Sequence, residues 1–299
     1  MTEKRKRIEG LWLGIIGTIA FSLTLPITRA AVPELGAGFL GLCRGLAAAI
    51  PALLLLLVLR EPLPERKYWP SLFLVAAGAG IGFPLFSAIA LRSLPSAHSA
   101  VVVGLLPAAT ALFAVLRGHE RPRLGFWIAC AGGVIAVLLF AAAEGSGRPQ
   151  LPDLLLLIAV LGGGIAYAEG GRLARDMGGW RVISWALVFG APFLVVPAII
   201  VIAHTPLAAV SPKAWLAFAY LALIPQFVAF FPWYRALMLA GVARTSQIQL
   251  AQPVLTLGWS ALLLHEHVSF LTLLASLLVI AAAAATQFTR VAPNTSELA

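Results

Sequence analysis

The sequence predicts an all-α membrane protein in which ten transmembrane helices form two five-helix repeats of opposite orientation. Three observations support this prediction: an apolar composition, ten hydrophobic runs of membrane-spanning length, and a self-alignment of the two halves. Of the 299 residues, 61% are hydrophobic and 11% are charged, against about 45–50% and about 25% in a typical soluble domain. The chain has too little polar surface to cover a water-soluble globule, so its solvent is the lipid bilayer.

Crossing the hydrocarbon core of a bilayer takes about 17–25 apolar residues. Runs of this length occur at 10–28, 38–59, 69–91, 98–116, 124–142, 153–173, 181–203, 213–235, 245–264 and 269–288. Proline, glycine or charged residues separate them, as in the segment 60–67. The connecting segments are too short to fold on their own, which excludes a separate soluble catalytic domain.

The basic residues indicate the orientation, because cytoplasmic loops carry an excess of Lys and Arg. With the N-terminus in the cytoplasm, sixteen Lys and Arg lie on the cytoplasmic side and four on the other. An even number of spans then places both termini in the cytoplasm. The formal charge of +9 is therefore explained by loops at an anionic inner leaflet, and no nucleic-acid partner is predicted. The basic N-terminus and first apolar run resemble a signal peptide, but we expect them to be retained, because no convincing cleavage site follows.

The two halves of the chain are copies of one unit. A shift of 146 residues superposes them without a gap from about residue 11 to residue 120. Uncommon residue types match at Arg29/Arg175, Pro51/Pro197, Trp69/Trp215, Pro107/Pro253 and His119-Glu120/His265-Glu266. The shift also superposes the first five runs on the last five. Since five is odd, the units 1–146 and 147–299 cross the membrane in opposite directions within one bundle. Such inverted repeats are typical of secondary transporters, whose substrate site lies near the midplane between the repeats.

The motifs of each half are similar to a known repeat. The first half contains Ala90-Leu91, Leu106-Pro107, Thr110, Gly118-His119-Glu120-Arg121-Pro122 and Gly132-Gly133, and the second contains Arg235-Ala236-Leu237, Gln252-Pro253 and His265-Glu266. This pattern resembles the EamA repeat of the drug/metabolite transporter superfamily, in two copies that cover nearly the whole chain. Phe21-Ser22 stands where the family commonly has Trp-Gly, and Gly190 is the equivalent of Arg44.

The resemblance implies a secondary transporter that exports small amphipathic metabolites by alternating access, in the inner membrane of a bacterial cell. Within the superfamily the chain is most similar to aromatic amino-acid exporters of the YddG type, which implies aromatic or other neutral amino acids as cargo. The alternatives are a broader exporter of drugs or hydrophobic metabolites and, in a different class, an intramembrane enzyme. An enzyme would need converging acids, bases or a nucleophile at one depth, whereas acids such as Glu169 are isolated. The predicted partners are a small-molecule substrate and the lipid bilayer, with no cofactor. The sequence indicates no oligomeric state.

A polar stripe in the ninth run is the strongest candidate for a substrate site. Thr245, Gln249, Gln252, Thr256 and Trp259 recur at spacings of four, three, four and three, so they share one helical face. Because moving an amide from water into a medium without hydrogen bonds costs about 4–8 kcal/mol, this face is predicted to point into the bundle. It either lines a substrate cavity, which we favour, or joins helices through hydrogen bonds.

Aromatic and polar residues of other runs complete the candidate site. They are Gln226, Phe230, Trp233 and Tyr234 in the eighth run, Phe83 in the third, Ser22 in the first and Tyr167 in the sixth. Aromatic rings suit a flat amphipathic solute by stacking, and Pro225 frees a backbone carbonyl at membrane depth. For Trp233 and Tyr234, a place in an interfacial aromatic belt is an equal alternative.

Arg44 lies inside the second run, where a charge costs about 2.5–3.5 kcal/mol or more and seldom faces lipid. It either holds a substrate carboxylate or extends outward and binds backbone carbonyls of a neighbouring helix. The residue pattern fits both roles, and of the two we favour the structural one.

No metal site is predicted. His119-Glu120 and His265-Glu266-His267 combine residue types that bind metals, but the repeat places them at opposite membrane faces. The resemblance implies instead that each caps the adjoining helix. Cys43 and Cys130 lie inside apolar runs and are expected to act as small apolar residues, with no disulfide between them.

Overall fold

The computed structural model describes residues 3–118, 124–144, 150–240, 245 and 248–289. Within these ranges the chain forms helices and no β-strand. Seven helical stretches there are long and apolar enough to cross a membrane, and two further apolar helices are shorter. The first stretch, Ile8–Val58, has 51 residues and contains two spans, because Gly36 breaks it with φ 76° and ψ 154°, a conformation that glycine adopts without strain. The all-helical architecture with ten spans is confirmed.

The spans are numbered α1 to α10 in chain order. Their bounds are 3–35 for α1, 37–58 for α2, 69–90 for α3, 96–118 for α4, Leu124–Glu144 for α5, Leu151–Met177 for α6, Gly179–His204 for α7, 212–240 for α8, Gln252–Leu264 for α9 and Phe270–Thr289 for α10. Short 3₁₀ turns at Arg66–Tyr68 and Leu207–Ala209 precede α3 and α8. The N-terminal face is the side of the bundle on which α1 begins, and the opposite face is the other side.

The first helix is longer than its hydropathy predicts. The sequence places its end near residue 28, because Arg29 follows, whereas the helix continues to residue 35. Arg29 stays within the helix because its Nη1 donates to the carbonyl oxygens of Leu91 at 2.6 Å and Arg92 at 3.0 Å. The guanidinium is thereby held at the end of α3, on the opposite face.

The helix contacts are related by the repeat. The helix α1 packs against α8, and the equivalent pair α6 and α3 also pack together. In addition, α2 contacts α7, α4 contacts α9, and α5 contacts α10, so that each of these helices meets its own equivalent. This pattern is expected of two units related by a twofold axis in the membrane plane. The surface between the two halves therefore runs through the middle of the bundle.

Two irregular turns meet near that axis. A π-helical turn occupies Ala76–Gly82 in α3, and another occupies Ile224–Val228 in α8. The second contains Pro225, which lacks a backbone donor. The Gln226 Nε2 donates to the carbonyl oxygen of Ala79 at 3.0 Å and of Gly80 at 3.4 Å. Gly80 is the residue equivalent to Gln226 in the first half, so this contact lies close to the axis.

Close helix approach at small residues forms the wall behind this centre. A Cβ atom added to Gly78 would lie 2.1 Å from the carbonyl oxygen of Gly162, so α3 and α6 touch backbone to backbone, as small residues allow in membrane helices. The next residue, Gly163, faces the central cavity.

Candidate functional site

A narrow cavity of about 40 Å³, room for about three water molecules, lies between the two halves. Seven helices contribute to it, and its lining consists of Phe21, Thr24, Leu25, Arg44, Ala79, Phe83, Leu106, Gly163, Tyr167, Pro225, Gln226, Phe230 and Gln252. Gly163 lies near the middle of α6, about 20 Å from either end at about 1.5 Å per residue. The cavity is therefore near the midplane of the bundle.

The structure brings six of the thirteen predicted site residues to this cavity. They are Arg44, Phe83, Tyr167, Gln226, Phe230 and Gln252. The other seven are absent from its lining: Ser22, Trp233, Tyr234, Thr245, Gln249, Thr256 and Trp259.

Three aromatic rings form one side of the cavity. The ring centroids of Phe21, Tyr167 and Phe230 lie 5.1–5.9 Å apart. Trp233 packs behind them, 5.9 Å from Phe21 and 5.3 Å from Tyr167, and Tyr234 is 5.2 Å from Phe230. Both Trp233 and Tyr234 are fully enclosed by protein, which distinguishes them from residues of an interfacial belt. They support the aromatic wall from the protein side.

Two amide side chains and a hydroxyl contribute neutral polar groups. Gln226 is held by its bonds to α3, and Gln252 accepts a weak hydrogen bond of 3.4 Å from Gln249 Nε2. Thr24 is buried and lies beside them in the lining. These groups present donors and acceptors at membrane depth without adding charge.

Among the described residues that line this cavity, Arg44 is the only charged one. Its side chain is 2% exposed, and among the residues that the structure describes, its Nε and Nη1 atoms have no hydrogen-bond partner. A π-helical turn at Phe39–Cys43 immediately precedes it in α2. The binding of backbone carbonyls that the sequence allowed for Arg44 is thus not made by these two nitrogens.

The stripe of the ninth run, in which Thr245 and Gln249 precede α9, points into the bundle as its spacing predicts. Thr245, Gln249, Gln252 and Thr256 are buried, and Trp259 is partly buried. The Thr256 Oγ1 donates to the backbone oxygen of Ser22 at 2.9 Å, and the Trp259 Nε1 donates to the Ser22 Oγ at 3.0 Å. The stripe therefore divides: Gln252 faces the cavity, while Thr256 and Trp259 join α9 to α1.

Two acidic residues outside the cavity are engaged in structural contacts. Glu169 accepts hydrogen bonds from Arg117 and, at 3.0 Å, from Arg172, near the N-terminal face. Glu266 accepts from the backbone nitrogens of Ser96 at 3.0 Å and Ala97 at 2.8 Å. It thus caps α4 in the other half, not the helix α9 that precedes it.

Metal ligation receives no support in the part of the chain that the structure describes, where no group of three or more His, Cys, Asp or Glu side chains is placed to hold a metal ion. His119-Glu120 lies outside the described residues.

Sequence reasoning missed the apolar part of the lining. The missed residues are Phe21, Leu25, Ala79, Leu106 and Gly163, together with the polar Thr24, whereas Pro225 was already named for its freed backbone carbonyl. Phe21, Thr24 and Leu25 share one face of α1 by their spacing of three and four residues, which was a usable signal. For the others, an apolar residue in an apolar helix gives no sign of whether it faces lipid, protein or a cavity.

Comparison with known proteins relates this architecture to transporters. Residues 8–142 and 150–287 each match the EamA-like transporter family. A Bacillus subtilis (strain 168) protein named "Uncharacterized transporter YdeK" is 42% identical over 280 residues, which are 94% of this chain and 97% of the relative. A solved crystal structure of an 18% identical protein covers 94% of this chain and 97% of its own, with a TM-score of 0.61, and this likeness is one of fold.

Proposed function

The chain belongs to the EamA-like transporter family, and from that premise we propose that it exports aromatic and other bulky neutral amino acids across a bacterial inner membrane. Transport proceeds by alternating access, with the units 1–146 and 147–299 rocking about the central cavity. Both termini lie in the cytoplasm, so the N-terminal face is the cytoplasmic face, in keeping with the excess of Lys and Arg there.

One observation supports this cargo above all: the midplane cavity combines an aromatic wall with neutral amides. Phe21, Tyr167 and Phe230 offer ring faces and edges to a flat side chain. Gln226 and Gln252 offer amides to a polar head group. Phosphorylated solutes would require several cationic side chains, whereas this lining contains one.

Contacts between the halves at both faces provide the gates. At the cytoplasmic face, Arg181 of α7 binds Glu61 at 2.7 Å. At the opposite face, Glu266 binds the start of α4 at Ser96. Opening one face requires its contacts to break while those of the other hold, as alternating access demands.

Within this proposal the predicted site residues take two roles. The six that line the cavity contact the cargo. The other seven hold those six in place: Trp233 and Tyr234 through ring packing, and Ser22, Thr245, Gln249, Thr256 and Trp259 in and around the junction of α1 and α9.

The proposal is tested with the purified full chain in liposomes, by measuring counterflow of labelled phenylalanine. Phe230→Leu is expected to lower the initial rate about 3- to 10-fold, because an aromatic pair contributes about 0.5–1.5 kcal/mol beyond its area. Phe193→Leu is the matched control, because that ring is 64% exposed on the outer surface of the bundle. Absence of flux for phenylalanine, tyrosine, tryptophan and leucine alike would refute the assignment of cargo.

A further inference from the structure

The guanidinium of Arg44 is a buried positive charge at the edge of an empty space. It is 2% exposed and lines the central cavity. Two of its nitrogens have no partner among the residues that the structure describes. Buried arginines are otherwise almost always paired, so this side chain, which lies beside the cavity, has unfilled bonding capacity.

The residues that the structure describes supply no counter-charge at this position. None of the residues that line the cavity is acidic. The buried acids elsewhere in the described chain are already engaged: Glu169 by Arg117 and Arg172, and Asp153 by His98 at 2.7 Å. A buried charge without a partner is strongly unfavourable. The compensating group therefore has to come from the molecule that enters the cavity.

We infer that Arg44 binds the carboxylate of the cargo, so that the transported molecules are monocarboxylates bearing an apolar ring or a bulky side chain. The inference deepens the proposed function, on which it rests, by naming the group that the cargo must have. Arginine favours carboxylates because its planar donors match their two oxygens. A single positive charge balances one carboxylate, and lipophilic cations are excluded by repulsion.

The position of Arg44 relative to the aromatic wall fits such a molecule. Arg44 and the rings of Tyr167 and Phe230 line the same cavity near the midplane of the bundle. A cargo with a ring at one end and a carboxylate at the other can therefore contact both the rings and the guanidinium.

The α-ammonium group of an amino acid has a lesser role under this arrangement. The lining offers it neutral acceptors, of which Gln226 and Gln252 are amides, but no carboxylate. Removal of the ammonium group is therefore expected to cost less affinity than neutralisation of the carboxylate. This difference separates the inference from a general affinity for amino acids.

Four ligands test it by calorimetric titration of the purified full chain. They are phenylalanine, phenylalanine methyl ester, 3-phenylpropionate and 3-phenylpropionamide. In each acid–derivative pair, loss of the carboxylate charge is expected to weaken binding about 10- to 100-fold, the range of a hydrogen bond to a charged group. Equal binding within either pair would overturn the inference, and so would failure of both carboxylates to bind.

A variant pair assigns the effect to the residue. In Arg44→Gln, each acid and its derivative are expected to bind with affinities within about threefold of each other. The control is Arg92→Gln, which removes an exposed arginine at the opposite face and should keep the full difference in affinity between acid and derivative. A full difference in Arg44→Gln would overturn the assignment. If Arg44→Gln does not fold, the ligand series on the unmodified chain still decides whether a carboxylate is required. Arg44→Lys then takes the place of Arg44→Gln, and the difference in affinity between each acid and its derivative is expected to be smaller than in the unmodified chain.

The outcomes distinguish this inference from the proposed export. Binding of both carboxylates that depends on Arg44, with no amino-acid flux in liposomes, would sustain the inference and refute the proposed export. Flux of phenylalanine together with equal binding of its methyl ester would support the proposed export and refute the inference about Arg44.

Discussion

The contact between Glu266 and the start of α4 yields a prediction whose size follows from the structure. The carboxylate accepts three hydrogen bonds: from the Ser96 nitrogen at 3.0 Å, the Ala97 nitrogen at 2.8 Å and the Ser96 Oγ at 3.0 Å. Both backbone donors belong to the first turn of a helix, where no intrahelical acceptor exists. Glu266→Ala leaves these donors without a protein partner and removes a negative charge from the positive end of the helix dipole.

The expected cost is about 2–4 kcal/mol of unfolding free energy. Loss of a helix cap contributes about 1 kcal/mol, loss of the favourable dipole interaction about 0.3–1 kcal/mol, and bonds to a charged acceptor supply the remainder. Water reaches this end of α4 through a polar pocket that Ala97 helps to line, so the donors are partly rehydrated and the cost stays below the sum of three charged bonds. Glu266→Gln keeps one acceptor and is expected to lose about half as much.

The assay is reversible unfolding by SDS in mixed micelles, followed by tryptophan fluorescence. Glu65→Ala is the matched control, because its carboxylate pairs with Lys67 at 2.8 Å in an exposed position, where an ion pair contributes about 0–1 kcal/mol. A Glu266→Ala protein as stable as the Glu65→Ala protein would refute the reasoning and would mean that the contact does not hold the two halves together.

Three further predictions concern the interior. Gln252→Leu is expected to lower the rate of phenylalanine transport in liposomes at least about tenfold with near-normal folded yield. Gln249→Leu should lower it less, because Gln249 lies outside the cavity lining and supports Gln252 only through a weak hydrogen bond of 3.4 Å; equal loss of folded protein in both would favour a structural role. Gly78→Ala should reduce the folded fraction in size-exclusion chromatography, because its Cβ meets a carbonyl of α6 and overpacking costs about 1–3 kcal/mol or more; Gly132→Ala, with nothing within 4 Å of the new atom, should not. Glu169→Gln should lower the unfolding free energy by about 1–3 kcal/mol, because the two half-exposed arginines that it binds regain water only in part, and an unchanged value would contradict the ion-pair role.

The architecture could be predicted because both of its signals, the hydropathy of each run and the alignment of the two halves, can be counted directly in the sequence. Most predicted runs became helices at nearly the predicted bounds, as at 269–288 against Phe270–Thr289. The ninth run, predicted over 245–264, contains a turn at 250–251, and its helix α9 covers only Gln252–Leu264. The exception at α1 is instructive. Arg29 looked like the end of a span, but a long basic side chain can reach acceptors at the surface while its backbone remains helical, and the carbonyl of Leu91 is such an acceptor.

The site was less predictable, because periodicity shows which face of a helix is buried but not what covers it. The stripe of the ninth run was correctly expected to point inward, yet only Gln252 reaches the cavity and Thr256 meets the backbone of α1. The division depends on where α1 crosses α9, a three-dimensional quantity. Phe21 had the opposite problem: it is central to the aromatic wall, but the sequence marked it only by its position on one helical face with Thr24 and Leu25.

The contact of Gln226 with Gly80 has a consequence for how such a chain can evolve. A residue that touches its own repeat equivalent lies on the symmetry axis, and in a dimer of identical subunits both copies would have to be the same residue. Two glutamines would compete for the same space, and two glycines would leave the carbonyl of Ala79 without the bond it now receives. Fusion of the two units into one gene removes this restriction, because the two equivalent positions can then carry different residues. One position holds a glutamine, and the other holds a glycine whose small size leaves room for it. A chain assembled from two identical halves would lose this arrangement, however well each half was preserved.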